Sequence, residues 1–105
     1  TSVCTGSALL AAAGLLDGFR ATSNKRAFAG ASSQGASVDW VPQARWVEDG
    51  NRWPSSGVAA GMDMTAAIIA AIHGPEVATT LTDAAELEVH ADASWDPYAV
   101  KNGLA

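Results

Sequence analysis

The sequence has one cysteine, Cys4, so no disulfide can close within the chain. Its two histidines, His73 and His90, form no Cys/His group with zinc spacing, and no metal or other cofactor is implied. Charge is also scarce. Only 16% of the 105 residues are Asp, Glu, Lys or Arg, and six basic side chains face eleven acidic ones. The resulting net charge of −5 gives no basic surface for a phosphate backbone, so a nucleic-acid partner is not expected. No apolar run is long enough to span a bilayer, and no basic stretch followed by an apolar one suggests a secretory signal. A functional free thiol suits a reducing, cytoplasmic compartment.

What the chain does have is apolar and small: 49% hydrophobic residues and long stretches of Ala, Gly and Ser. Its organising feature is the opening segment Thr1-Ser2-Val3-Cys4-Thr5-Gly6. Val3 favours a strand, and a helix-forming run begins at Thr5 or Gly6. A lone cysteine is by default a small buried hydrophobe. At a strand-to-helix turn it lies beside backbone N–H groups that lack intrahelical acceptors, which favours the nucleophilic thiolate. The same N–H groups can bond a developing oxyanion, and Ser2, Thr5 and Gly6 leave room for a sharp nucleophile elbow.

Ser2-Val3-Cys4-Thr5-Gly6, Ala13-Gly14-Leu15-Leu16-Asp17-Gly18, Arg20-Ala21-Thr22, Val47-Glu48-Asp49-Gly50-Asn51 and the block Ser55 to Met64 together resemble the ThiJ/PfpI superfamily. Within it, the chain is most similar to the branch of isonitrile hydratases and of amidotransferase-like domains of transcription regulators. The resemblance runs from Ser2 to about Ala99. It implies an α/β, flavodoxin-like three-layer sandwich of the class I glutamine-amidotransferase type. It also implies Cys4 as nucleophile, with Thr5 beside it, and an acidic partner supplied by the half of the domain that precedes the elbow. Many relatives carry Thr-Thr-His-Trp where this chain has Thr22-Ser23-Asn24-Lys25. Asn24 takes the histidine's place and cannot act as a general base, which argues against peptidase chemistry.

Along the chain, the first helix is expected from Thr5 to Ala13, with Leu9, Leu10 and Ala13 inward and Gly14 closing it. Phe19 to Thr22 reads as a short strand. Lys25 to Ala31 reads as a short helix with Lys25 and Arg26 exposed and Phe28 inward. Asp49-Gly50 predicts a type I′ hairpin turn between residues 44–48 and 51–53, with Trp46 and Trp53 able to pair across it. Ser55-Ser56-Gly57 leads into a helix from Val58 to Ile72, apolar on most sides and so expected to be buried against a sheet and other helices. Asp63 within it is expected to bond backbone or a serine hydroxyl. His73-Gly74-Pro75 ends that helix and opens another, from Pro75 to Val89, with Val77, Leu81, Ala84 and Ala85 inward. Trp95 and Tyr98 are expected to anchor the tail.

A doubly wound sheet needs about five strands, and each βαβ unit takes about 30 residues. Residues 1–105 hold too few strand candidates. They are therefore expected to be the C-terminal half of one domain, whose N-terminal half is a second chain or a missing segment. The complete domain is expected to form a homodimer. The leading expectation for function is hydration of an isonitrile or similar small electrophilic carbon, with Cys4 and Thr5 as catalytic residues and Thr5, Gly6 and Asn24 positioning the substrate or oxyanion. Glyoxalase or deglycase chemistry on α-oxoaldehydes is the second reading. A non-enzymatic thiol sensor or ligand-binding domain is the third.

Overall fold

The computed structural model describes residues 1–105 throughout. Its elements are α1 (Gly6–Ala12), β1 (Arg20–Ala21), α2 (Phe28–Ser32), β2 (Asp39–Trp40), α3 (Val58–His73), α4 (Pro75–Ala84) and α5 (Pro97–Lys101). No helix is long and apolar enough to cross a membrane. β1 and β2 pair in parallel, Arg20 with Asp39 and Ala21 with Trp40, and α2 lies in the crossover between them.

Extended backbone continues this layer beyond the two regular strands. Asn24 N–H donates to the Cys4 carbonyl (3.4 Å), Ser55 N–H to the Ser2 carbonyl (2.9 Å) and Ser56 N–H to the Arg45 carbonyl (2.8 Å). The strip thus runs from residues 39–41 through 20–24, 2–4 and 53–56 to 45–47. Consecutive side chains of an extended segment point to opposite faces. Ser2 lies against Gly6 at the start of α1, and Val3 lies against Gly61 of α3. Helices α1 and α3 therefore sit on opposite sides of the strip, the arrangement expected of a three-layer α/β domain. A small core of Ala11, Leu16, Ala21 and Val38, with Leu10 and Trp40 packed on it, fills the space between α1 and the β1–β2 pair.

Several expectations are met. Helix α1 ends in a Schellman motif: Leu15 N–H reaches the Leu10 carbonyl (3.0 Å), and Gly14 takes φ 78°, as only glycine does freely. His73 is the last residue of α3, Gly74 adopts φ 93° and Pro75 opens α4. Asp63 bonds backbone in part, its Oδ1 accepting from His90 N–H at 3.0 Å, but its Oδ2 pairs with Arg45, a partner not expected.

Others are corrected. Helix α1 buries Ser7 and Ala11, one turn apart, so Leu9, on the opposite side, is 77% exposed; Ala13 is also exposed. Lys25 is buried, not exposed, because Asp96 pairs with it. The hairpin turn is centred on Gly50-Asn51, bracketed by reciprocal bonds between Asp49 and Arg52. Only Gly50 has positive φ, as a type II′ rather than a type I′ turn requires. Its register places Trp46 opposite Ser55, so the two tryptophans do not pair. Helix α3 buries one side only, through Ala60, Gly61, Asp63, Met64 and Ala66, while Val58, Met62 and Ile72 are exposed. Helix α4 stops at Ala84, and Val77 and Leu81 face outward. Strand β2 and helix α5 were not expected.

Gly61 is where α3 meets the segment that carries Cys4. A Cβ there would lie 2.7 and 2.9 Å from the two γ-methyls of Val3. Valine is stiff about χ1, so rotation removes at most one of these clashes. Overpacking costs about 1–3 kcal/mol, and the gain in helix propensity from alanine offsets about 1 kcal/mol. Gly61→Ala is expected to lower stability by about 1 kcal/mol in urea unfolding, and Gly61→Val by more.

Candidate active site

Cys4 is half-buried, and its backbone has φ 59°. A non-glycine residue in the left-handed region is uncommon and costs of order 1 kcal/mol or more, so it persists only where its surroundings enforce it. Both backbone polar groups of Cys4 are engaged. Its N–H donates to the Ser56 carbonyl (2.9 Å). Its carbonyl accepts from Ser23 Oγ (3.0 Å), Asn24 N–H (3.4 Å) and Ser7 Oγ (3.4 Å). A strand, a left-handed residue and a helix in immediate succession make a sharp elbow that lifts the Cys4 side chain out of the sheet.

The neighbours named from sequence fall into place around it. Thr5 is the N-terminal flanking residue of α1; its hydroxyl caps nothing, and its side chain is exposed. Its N–H has no acceptor in the chain, whereas the Gly6 N–H is committed to the Val3 carbonyl (3.0 Å). Thr5 therefore supplies a free donor at the elbow. Asn24 touches Cys4 through its backbone, and its side-chain Oδ1 accepts from Ala27 N–H (3.1 Å), shaping the turn into α2. Its Nδ2 lies toward Gly57, at the start of α3. His73 lies at the far end of α3 and is exposed. No group of three or more His, Cys, Asp or Glu residues is placed to hold a metal ion.

Behind the elbow opens a cleft of about 610 Å³, within the size range of small-molecule sites. Asn24, Ser56, Gly57, Met62, Trp95 and Tyr98 are among its walls. Cys4 does not line it, but Asn24 and Ser56, which hold the Cys4 backbone, do. The far wall is tied down by Arg45, whose Nε and Nη2 reach Asp63 Oδ2 at 2.7 and 2.6 Å. The Arg45 guanidinium lies 5.2 Å from the Trp95 ring, and Trp95 stacks on His90 at 4.4 Å.

Sequence reasoning missed Lys25. Its Nζ donates to Thr22 Oγ1 and to the Ser23 carbonyl (3.1 Å) and lies 3.5 Å from Asp96 Oδ2. A lysine in a predominantly small and polar run carries no periodic signal of burial. Its partner is remote in sequence. Burial lowers the Lys25 ammonium to about 8, and the attraction of Asp96 only partly opposes this. Between about pH 8 and 10.5 the unfolded chain then holds a proton that the folded chain has released, so stability rises with pH across that window. The gain is expected to be about 1–3 kcal/mol. It should vanish in the double variant Lys25→Met/Asp96→Asn, as read by urea unfolding at successive pH values.

No family model matches the chain. It is 39% identical to an isonitrile hydratase of Pseudomonas putida over 79 residues, which is 74% of this chain and 33% of that protein. It is 38% identical to the HTH-type transcriptional regulator CdhR of Pseudomonas aeruginosa over 79 residues, 75% of this chain and 23% of the regulator. The chain thus spans a third or less of the length of these curated relatives. A crystal structure of a ThiJ/PfpI family protein from Pseudomonas syringae superposes with a TM-score of 0.65 at 33% identity, covering 85% of this chain and 36% of that one. A flavodoxin-like α/β layering with helices on both faces and agreement in sequence with each of these proteins make this chain a member of the ThiJ/PfpI superfamily.

Proposed function

We propose that the chain carries the nucleophile of an enzyme that hydrates a small electrophilic carbon, an isonitrile being the substrate that its similarity to an isonitrile hydratase favours. The observation that carries this reading is the left-handed conformation of Cys4, held by bonds to both of its backbone polar groups. The isonitrile carbon accepts the Cys4 sulfur and a proton to give a thioimidate. Water then adds to that carbon, the C–S bond breaks, and the thiol leaves an N-substituted formamide. Overall the isonitrile gains one water, and the cysteine is regenerated. The Thr5 N–H and hydroxyl, both without partners in the chain, are placed to bond the nitrogen or oxygen on which charge develops. Asn24 supports the elbow and transfers no proton.

Cys4→Ser is expected to abolish formamide production from an alkyl isonitrile while leaving the fold intact. Asn24→Ala is expected to lower kcat by less than about ten-fold, since it removes a turn-shaping bond and no chemical group. Turnover that survives Cys4→Ser would remove the cysteine from the mechanism.

A second reading is a ligand-binding domain without turnover. The near-equal identity to a transcriptional regulator, over an equally long stretch, favours it. Absence of isonitrile turnover, together with saturable binding of a small molecule, would select it.

We further propose that the complete site includes the preceding half of the domain, as a second chain or as a further segment. The apolar side chains of Leu9, Val58, Met62, Ile72, Val77 and Leu81 stand exposed on helices of both faces, where a further part of the domain would cover them. Size exclusion and intact mass of native material are expected to show a species larger than 10.7 kDa. A cooperative monomer of that mass would overturn the proposal.

A further inference from the structure

Nothing in the proposed chemistry of Cys4 calls for Lys25. It is nonetheless one of the most thoroughly engaged polar side chains in the molecule, 3% exposed and bonded at three points. Two of those points, Thr22 and Ser23, belong to the segment that grips the Cys4 carbonyl through Ser23 Oγ at 3.0 Å and Asn24 N–H at 3.4 Å. The third, Asp96, opens α5. Asp96 Oδ1 caps that helix by accepting from Tyr98 N–H (2.9 Å), which leaves Oδ2 to face Lys25 with no hydrogen-bond donor of its own. The C-terminal segment is docked independently of Lys25: Gln43 Nε2 donates to the Ser94 and Asp96 carbonyls (3.0 Å each), and Arg45 N–H donates to the Ala93 carbonyl (2.6 Å).

We propose that Lys25 and Asp96 are positioning residues, through which the C-terminal segment holds the 22–24 segment against the Cys4 carbonyl and keeps the cysteine in its left-handed, outward-facing conformation. The proposal rests on the reading of Cys4 as the reactive group, but its test is alkylation of that thiol and needs no substrate. Asp96 carries the anchor, Lys25 carries it across to Ser23, and Ser23 delivers it to Cys4. Loosening the first joint lets the strained residue relax toward ordinary φ and withdraws the side chain.

The test is the rate of iodoacetamide alkylation of Cys4, with the extent of folding measured in parallel. Asn caps a helix as well as Asp, so Asp96→Asn keeps the bond to Tyr98 and removes only the charge facing Lys25. It is expected to slow alkylation about five-fold at pH 7. The ratio of wild-type to Asp96→Asn rates should fall toward one as pH rises through 8 to 10, because neutral Lys25 no longer reads the charge on Asp96. Arg26, Arg45, Asp63, Glu88, His90 and Tyr98 line the same cleft and are present in both proteins, so the two rates are compared at each pH. The double variant Lys25→Met/Asp96→Asn buries no charge and should be slowed equally at pH 7. Folded variants that alkylate at the wild-type rate would overturn the proposal, as would a slowing that does not change with pH. Isonitrile turnover that survives Cys4→Ser would instead overturn the functional reading and leave this measurement standing.

Discussion

The carbonyl of Cys4 is where the two sides of the molecule are joined. It accepts from residue 7 on α1 and from residues 23 and 24 beyond β1, while the N–H of the same residue reaches Ser56 at the approach to α3. A left-handed cysteine is unfavourable in isolation, and a β1–β2 pair of two residues each contributes little rigidity. What holds the elbow is therefore a convergence of hydrogen bonds on one peptide. Each is worth only about 0.5–1.5 kcal/mol, but losing one leaves a buried polar group unsatisfied at greater cost. That asymmetry explains how a strained backbone survives in so thin a layer.

The same logic extends to the buried charges. The hydrophobic cluster at the β1–β2 pair consists of Ala11, Leu16, Ala21 and Val38, too little apolar volume to fix every surrounding loop. Two buried ion pairs act where side-chain bulk is missing. Arg45–Asp63 joins the 45–47 strand to α3 and, through the His90 N–H that donates to Asp63, to the chain beyond α4. Lys25–Asp96 joins the segment after β1 to α5. Buried pairs add little net stability compared with apolar packing, because desolvation cancels most of the attraction. They do penalise misplacement severely, since a separated partner is left charged in a dry environment. Here they fix where the C-terminal segment lies rather than how firmly the whole chain folds.

Small residues are the counterpart of these polar ties. Gly61 lets α3 approach Val3, and Gly35 lets the loop before β2 close on Val38 and Ala11. Gly35 lies in a stretch rich in Ala, Gly and Ser that looks uninformative in sequence, yet a Cβ there would lie 2.7 Å from Val38. Alanines such as Ala11, Ala21 and Ala60 occupy the interior, while Leu9, Met62 and Leu81 stand exposed.

This inversion explains what could and could not be read from the sequence. Features set by local chemistry were legible. Gly14 closes α1, His73-Gly74-Pro75 separates α3 from α4, and Ser2-Val3-Cys4-Thr5-Gly6 forms the turn that its small residues permit. Helix α4 closes by the same Schellman bonding as α1, with Leu87 N–H on the Thr82 carbonyl at 2.9 Å, but the left-handed position holds Glu86 instead of glycine. Without a glycine to mark the stop, the helical pattern of the sequence runs on to Val89. Features set by remote partners were not legible at all. Nothing near Lys25 foretells Asp96, and nothing in Asp39-Trp40 reveals that β1 will offer it a parallel edge. The apolar periodicity of α3 misled for a related reason. It specifies which sides of a helix can be buried, and the neighbouring elements decide which of them are. In this chain the Val3 and Arg45 contacts claim one side, and the apolar residues of the other remain in solvent.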